Sequence, residues 1–261
     1  MFDLGLSDKV AVITGGSDGI GKATALALAR EGAAVAICAR REEPLEEAAR
    51  EIRAATEGRV LAMRADVTSP QDIEHFIQKV VDNYGGIDIL VNNAGTAAGT
   101  NFEAMTDEAW QADLELKLFG AIRTSRLVIP HMRARGGGRI INITAIAGKQ
   151  PGPRSMPSSV SRAAGLALTK ALSKDYARDN ILVNTVCIGV IKSGQQARNA
   201  TRMNPGASLE EAYRQMGSGI PLGRVGETEE AANVVLFLAS SMASYVTGVS
   251  VNVDGGTSGV V

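Results

Sequence analysis

Cysteine is scarce in this chain of 261 residues, with only Cys38 and Cys187, each inside an apolar, strand-like run. Two thiols so placed give no disulfide framework and no metal-ligand spacing. They read as small core residues in a reducing compartment, and the cytoplasm is expected. Histidine is equally rare: His75 and His131 stand far apart and are both expected at the surface, so neither supports a nucleophilic serine. An excess of charge is missing too. A formal net charge of −1 points neither to nucleic acid nor to an anionic membrane. No uninterrupted run of about 18 apolar residues occurs, and the opening MFDLGLSDKV has no basic stretch followed by an apolar one, so neither a membrane span nor an export signal is expected. Apolar residues, by contrast, make up 45% of the chain, enough to bury a substantial core in one α/β domain spanning 1–261.

Glycine is plentiful, and its densest functional cluster lies early. Residues 10–13 form a short β-branched apolar run, followed by Thr14, Gly15, Gly16, Ser17, Asp18, Gly19, Ile20 and Gly21 and then by helical periodicity. A strand that enters a helix through glycines leaves backbone N–H groups unpaired at the helix N-terminus, where the dipole favours an anion such as a pyrophosphate.

Beyond this loop, strands are predicted over 33–39, 59–65, 87–91, 139–144, 181–188 and 248–253. Helices alternate with them, and the short connections imply a doubly wound, mainly parallel seven-stranded sheet of Rossmann type with helices on both faces. The stretch 107–135 reads as one long helix that places Asp113 and Lys117 a turn apart in the favourable order. Another helix, over 161–176, is apolar nearly all round, which implies contact with a second subunit. Residues 191–220 are polar and glycine-spotted. Ser208 and Glu211 have capping-box spacing, so this segment reads either as a mobile lid containing a short helix or as an ordinary surface loop.

TGGSDGIG at 14–21, Asp66 with Val67, NNAG at 92–95, IPLGRVGE at 220–227 and VTGVSVNVDGG at 246–256 together resemble the short-chain dehydrogenase/reductase family over nearly the whole chain. The resemblance implies a bound nicotinamide dinucleotide, a small-molecule substrate and a homotetramer. It also implies cofactor contacts from Gly15, Ser17, Asp18, Gly19, Ile20, Gly21, Asp66, Val67, Asn93, Ala94, Gly95, Thr144, Arg162, Gly189 and Ile191. At the end of the second strand stand Arg40 and Arg41 with no acid before Glu42, an arrangement suited to a 2′-phosphate, so NADP(H) is expected with NAD as the alternative.

The catalytic pattern departs from the family. Members that reduce carbonyls carry a serine, then a tyrosine and a lysine four residues beyond it, together with an asparagine in the preceding long helix. Aligning NITAIAG at 142–148 places Ala145 at the serine, Ser158 at the tyrosine and Arg162 at the lysine; counting from Trp110 places Lys117 at the asparagine. A serine hydroxyl is a far weaker acid than a phenol, and arginine does not exchange protons near neutral pH. Two readings follow. One is an oxidoreductase with a non-standard proton donor, for which Lys117, Thr144, a water and the lid residue Tyr213 are candidates. The other is a catalytically silent dinucleotide-binding protein or sensor.

Overall fold

The computed structural model describes residues 3–261. Strands β1 (Val10–Thr14), β2 (Ala34–Ala39), β3 (Val60–Arg64) and β4 (Ile89–Asn92) are followed by β5 (Gly99–Thr100), β6 (Gly138–Ala145), β7 (Met156–Pro157), β8 (Ile181–Ile188) and β9 (Ser250–Val253). Seven of them form one sheet in the order β3-β2-β1-β4-β6-β8-β9, every neighbouring pair parallel. The two-residue strands β5 and β7 pair with each other, antiparallel. Strand order reverses between β1 and β4, and at such a switch point a crevice opens outside the carboxyl ends of the strands.

Both faces of the sheet's centre are covered, and the strands β1 and β2 are apolar almost throughout. On one face Ile13, Val35, Ile37 and Ile141 pack with residues of α1 (Gly19–Arg30), α2 (Glu42–Thr56) and α9 (Thr228–Ala239), among them Leu28, Leu45 and Leu238. On the other, Val12, Leu90, Ile140 and Val183 meet α3 (Pro70–Tyr84) and α5 (Gly120–Ala134) through Phe76, Val128 and Met132. A buried polar chain ties the middle strands together below the crevice: Asn92 donates to Asn142 at 2.9 Å, Asn142 to Thr169 at 2.8 Å, and Thr169 lies 2.7 Å from Thr185.

Three elements differ from the sequence expectation. The helix expected over 107–135 is divided into α4 (Asp107–Leu114), a π-helical turn at Glu115–Phe119, and α5. A π turn accommodates an extra residue and so re-aims the side chains it carries. The helix expected from 161 is α6 (Ser158–Asp175), starting three residues earlier, with Val160, Ala163, Ala167 and Ala171 exposed along one side. In the 191–220 segment there are two helices, α7 (Gly194–Met203) and α8 (Leu209–Gly217). Ser208 caps α8 as its spacing suggested, and Ser193 caps α7 by accepting from Gln196 N at 3.2 Å. Ser193 and Gln196 have the same capping spacing as Ser208 and Glu211. No helix among the described residues is long and apolar enough to cross a membrane.

Candidate active site

A cleft of about 820 Å³ opens at the carboxyl ends of the strands, and its walls collect residues scattered from Gly15 to Arg198. The glycine loop between β1 and α1 forms one wall. Gly19 takes a left-handed φ of 57°, and a Cβ on Gly21 would sit 2.3 Å from the Gly15 carbonyl oxygen, so this tight passage admits no side chain. Gly21 itself does not line the cleft; it packs beneath the loop. Asn93 braces the same loop, its Nδ2 donating to the Thr14 and Gly15 carbonyls at 3.0 Å. Gly15, Ser17, Asp18, Gly19, Ile20, Asp66, Val67, Asn93, Ala94, Gly95, Gly189 and Ile191 all border the cleft.

Asp18 does more than border it. Its carboxylate accepts from Gly19 N at 2.7 Å and from Gly194 N at 2.9 Å, so it caps α1 and at the same time anchors the start of α7. Arg40 and Arg41 line the cleft beyond the end of β2, and neither has a carboxylate partner among the described residues. A glycine-bounded helix N-terminus beside two unpaired guanidinium groups fits a dinucleotide carrying an additional phosphate.

At the other end of the cleft the tetrad-equivalent positions converge. Lys117 is carried by the π turn and is buried, as is its partner Asp113; the exposed, solvated pair that i,i+4 spacing ordinarily implies is therefore excluded. Lys117 Nζ donates to Asp113 Oδ1 and, at 2.6 Å, to Ser158 Oγ. The second oxygen of Asp113 accepts from Ser161 Oγ at 2.6 Å, and Ser158 Oγ also accepts from the Ala98 backbone N–H at 2.9 Å. Burial pushes the Lys117 ammonium below the ordinary lysine value, nearby Arg162 adds to this, and Asp113 opposes it. Ser158 borders the cleft while Lys117 stands behind it, lining a pocket of about 20 Å³, large enough for a single water.

Arg162 reaches both spaces and is fixed by donating from Nη1 to the Ile143 carbonyl at 2.6 Å. Burial lowers its basicity, yet a guanidinium so held remains a cation. Thr144 is absent from the cleft wall. It faces the small pocket, with Oγ1 3.1 Å from Cys187 Sγ. Tyr213 is also absent from the cleft; its ring lies 5.6 Å from Lys192 Nζ.

Several participants were not legible in the sequence. Ala98 acts through its backbone, so no side-chain pattern marks it. Gln195 pairs both its amide atoms with Ala97, accepting from Ala97 N at 3.1 Å and donating to Ala97 O at 3.2 Å, and thereby ties α7 to the loop after β4. Among the described residues no group of three or more His, Cys, Asp or Glu could hold a metal ion.

The family model described as enoyl-(acyl carrier protein) reductase matches residues 15–258. Thermotoga maritima 3-oxoacyl-[acyl-carrier-protein] reductase is 38% identical over 96% of this chain and 98% of its own length. L-sorbose reductase from Gluconobacter frateurii, solved with NADPH and L-sorbose, superimposes with a TM-score of 0.96 at 37% identity, covering 100% of both chains. An NADPH-bound short-chain oxidoreductase from Pseudomonas aeruginosa PAO1 containing an atypical catalytic center gives a TM-score of 0.92 at 36% identity, again covering 100% of both chains. With its sheet order, glycine loop and these full-length matches, the chain belongs to the short-chain dehydrogenase/reductase family.

Proposed function

We propose that the protein is an NADP(H)-dependent oxidoreductase that interconverts a carbonyl and an alcohol on a small molecule, with Lys117 supplying through Ser158 the proton that a tyrosine supplies elsewhere in the family. The observation that carries this reading is the 2.6 Å contact between Lys117 Nζ and Ser158 Oγ at the wall of the cleft. NADPH, when bound, supplies the hydride; the glycine loop and the Arg40–Arg41 pair suit its phosphates, and the similar Gluconobacter and Pseudomonas structures contain it.

Ser158 Oγ accepts two hydrogen bonds, from Lys117 and from Ala98 N, which leaves its own O–H free to donate into the cleft. Two donors on one oxygen stabilise its developing anion and make the hydroxyl a better acid. As Ser158 donates to the substrate oxygen, Lys117 restores its proton. Asp113 holds the ammonium in place, and Ser161 holds Asp113. Arg162, pinned to Ile143, adds a fixed positive charge where negative charge develops on the substrate oxygen. The exposed Val160, Ala163, Ala167 and Ala171 on α6 suit a subunit contact, in keeping with a homotetramer.

The test is calorimetric titration with NADPH and NADH, followed by a panel of ketones and ketoses, L-sorbose among them, offered to the NADPH complex. Tighter binding of NADPH than NADH and oxidation of NADPH by at least one carbonyl are expected. Tight binding with no turnover across the panel would favour the silent reading, and no binding of either nucleotide would overturn both.

A further inference from the structure

A second cavity, of about 280 Å³, lies at the opposite end of the sheet from the cleft, where β4 and β6 begin; Lys9, Asp88, Arg135, Arg139, Asn180 and Ser241 are among the residues lining it. The charges here do not balance. Asp88 is buried and committed: Oδ2 accepts from Val10 N at 2.9 Å, while Oδ1 accepts from Arg135 Nε at 2.9 Å and lies 3.5 Å from Lys9 Nζ. One carboxylate thus serves two cations, and a third, Arg139, has none among the described residues. Its Nη1 donates to the adjacent Gly138 carbonyl at 3.0 Å, but its buried Nε has no hydrogen-bond partner among the described residues. Burial without a compensating acid lowers the basicity of this guanidinium.

Arg139 Nε is closed off from the cavity, so what the cavity meets is the charge of a guanidinium that no carboxylate among the described residues neutralises. Three cations facing one carboxylate call for an anion. Arginine forks match the oxygens of a tetrahedral phosphate, and the cavity is large enough for that group with a short attached chain but too small for a dinucleotide.

We propose that this rear cavity is a binding site for a phosphate group, separate from the cofactor cleft, with Arg139 as its inner contact and Lys9 and Arg135 at its rim. The group comes either as inorganic phosphate or as a small phosphomonoester. The site is independent of the reaction assigned to the cleft, because the two occupy opposite ends of the same strands.

Isothermal titration of the full chain with inorganic phosphate and, separately, with glycerol 3-phosphate tests this, at constant ionic strength and with saturating NADPH present to occupy the cleft. Saturable binding of at least one of them at one site per chain is expected. Preference for glycerol 3-phosphate would identify the ester as the source, and preference for inorganic phosphate the free ion. Arg139→Gln should weaken binding at least about tenfold, and Lys9→Gln should weaken it several-fold. Because Arg139 is partly buried in the sheet, the exposed Lys9 provides a second, structurally milder variant whose result stands if Arg139→Gln does not fold. Absence of saturable binding by the wild-type chain would overturn the site. So would unchanged affinity in the variants that fold.

Discussion

In the relay proposed above, Lys117 and Ser158 together take the part of the family's tyrosine. General acid–base catalysis is typically worth about 10² to 10⁴ in rate, so Lys117→Met is expected to lower kcat by at least about 10² while leaving NADPH affinity unchanged. Ser158→Ala should cost less, because it exposes the ammonium to the cleft without removing it. The pH dependence has a definite sign. Under the proposed relay reduction requires protonated Lys117, and burial lowers its pKa, so kcat should fall as pH rises through a value below the ordinary lysine range, a limb missing in Lys117→Met. The position of Lys117 was legible in the sequence by counting from Trp110, but its burial was not. Acid and lysine at i,i+4 describe a solvated surface pair equally well, and only the π turn decides which way the pair points.

Among the elements, the glycine loop and α9 carry the clearest expectations. Gly21→Ala places a methyl against the Gly15 carbonyl, so the loop must shift; loss of NADPH binding by calorimetry with the fold retained by circular dichroism is the expected outcome. At the start of α9, Glu230 accepts from Glu227 N at 2.8 Å and pairs with both terminal nitrogens of Arg224 at 2.6 and 2.8 Å. These bonds lower its pKa to about 2, the Arg224 pairing being the largest cause. A carboxylate depressed in the folded state contributes stability above its unfolded value, and that contribution fades as pH falls from the ordinary glutamate range toward about 2. Glu230→Ala should therefore destabilise the chain by about 0.5–2 kcal/mol near neutral pH, the usual cost of losing a helix cap, and by less in acid, as thermal melts at the two pH values would reveal. The central strands β1, β2 and β4 were legible because both their faces are buried, which leaves short apolar runs. By contrast, α7 was not. Its sequence is polar almost throughout, and it is held through its start, by Asp18, Ser193 and Gln195, instead of by an apolar stripe.

In the whole molecule, one sheet serves two ends: the cleft at the carboxyl edge and a cationic cavity at the other. Its sides are finished by helices, and α6 leaves a row of small apolar residues exposed. If that row joins subunits, Ala167→Glu should reduce the mass measured by light scattering from that of an oligomer to a smaller species; an unchanged mass would place the contact elsewhere. The fold class and the cofactor end were readable from the chain because strand–glycine–helix passages depend on local geometry. The positions of Lys117 and Ser158 were readable too, but their meeting with Asp113 and the Ala98 amide was not, since it arises only once β4, the π turn and α6 are packed together. Whether that meeting replaces the phenol is tested most directly by single-turnover hydride transfer from bound NADPH, followed across pH in the wild-type chain and in Lys117→Met. A wild-type rate that declines at alkaline pH, with a slower and pH-flat rate in the variant, is expected; superimposable profiles of equal rate would contradict the relay.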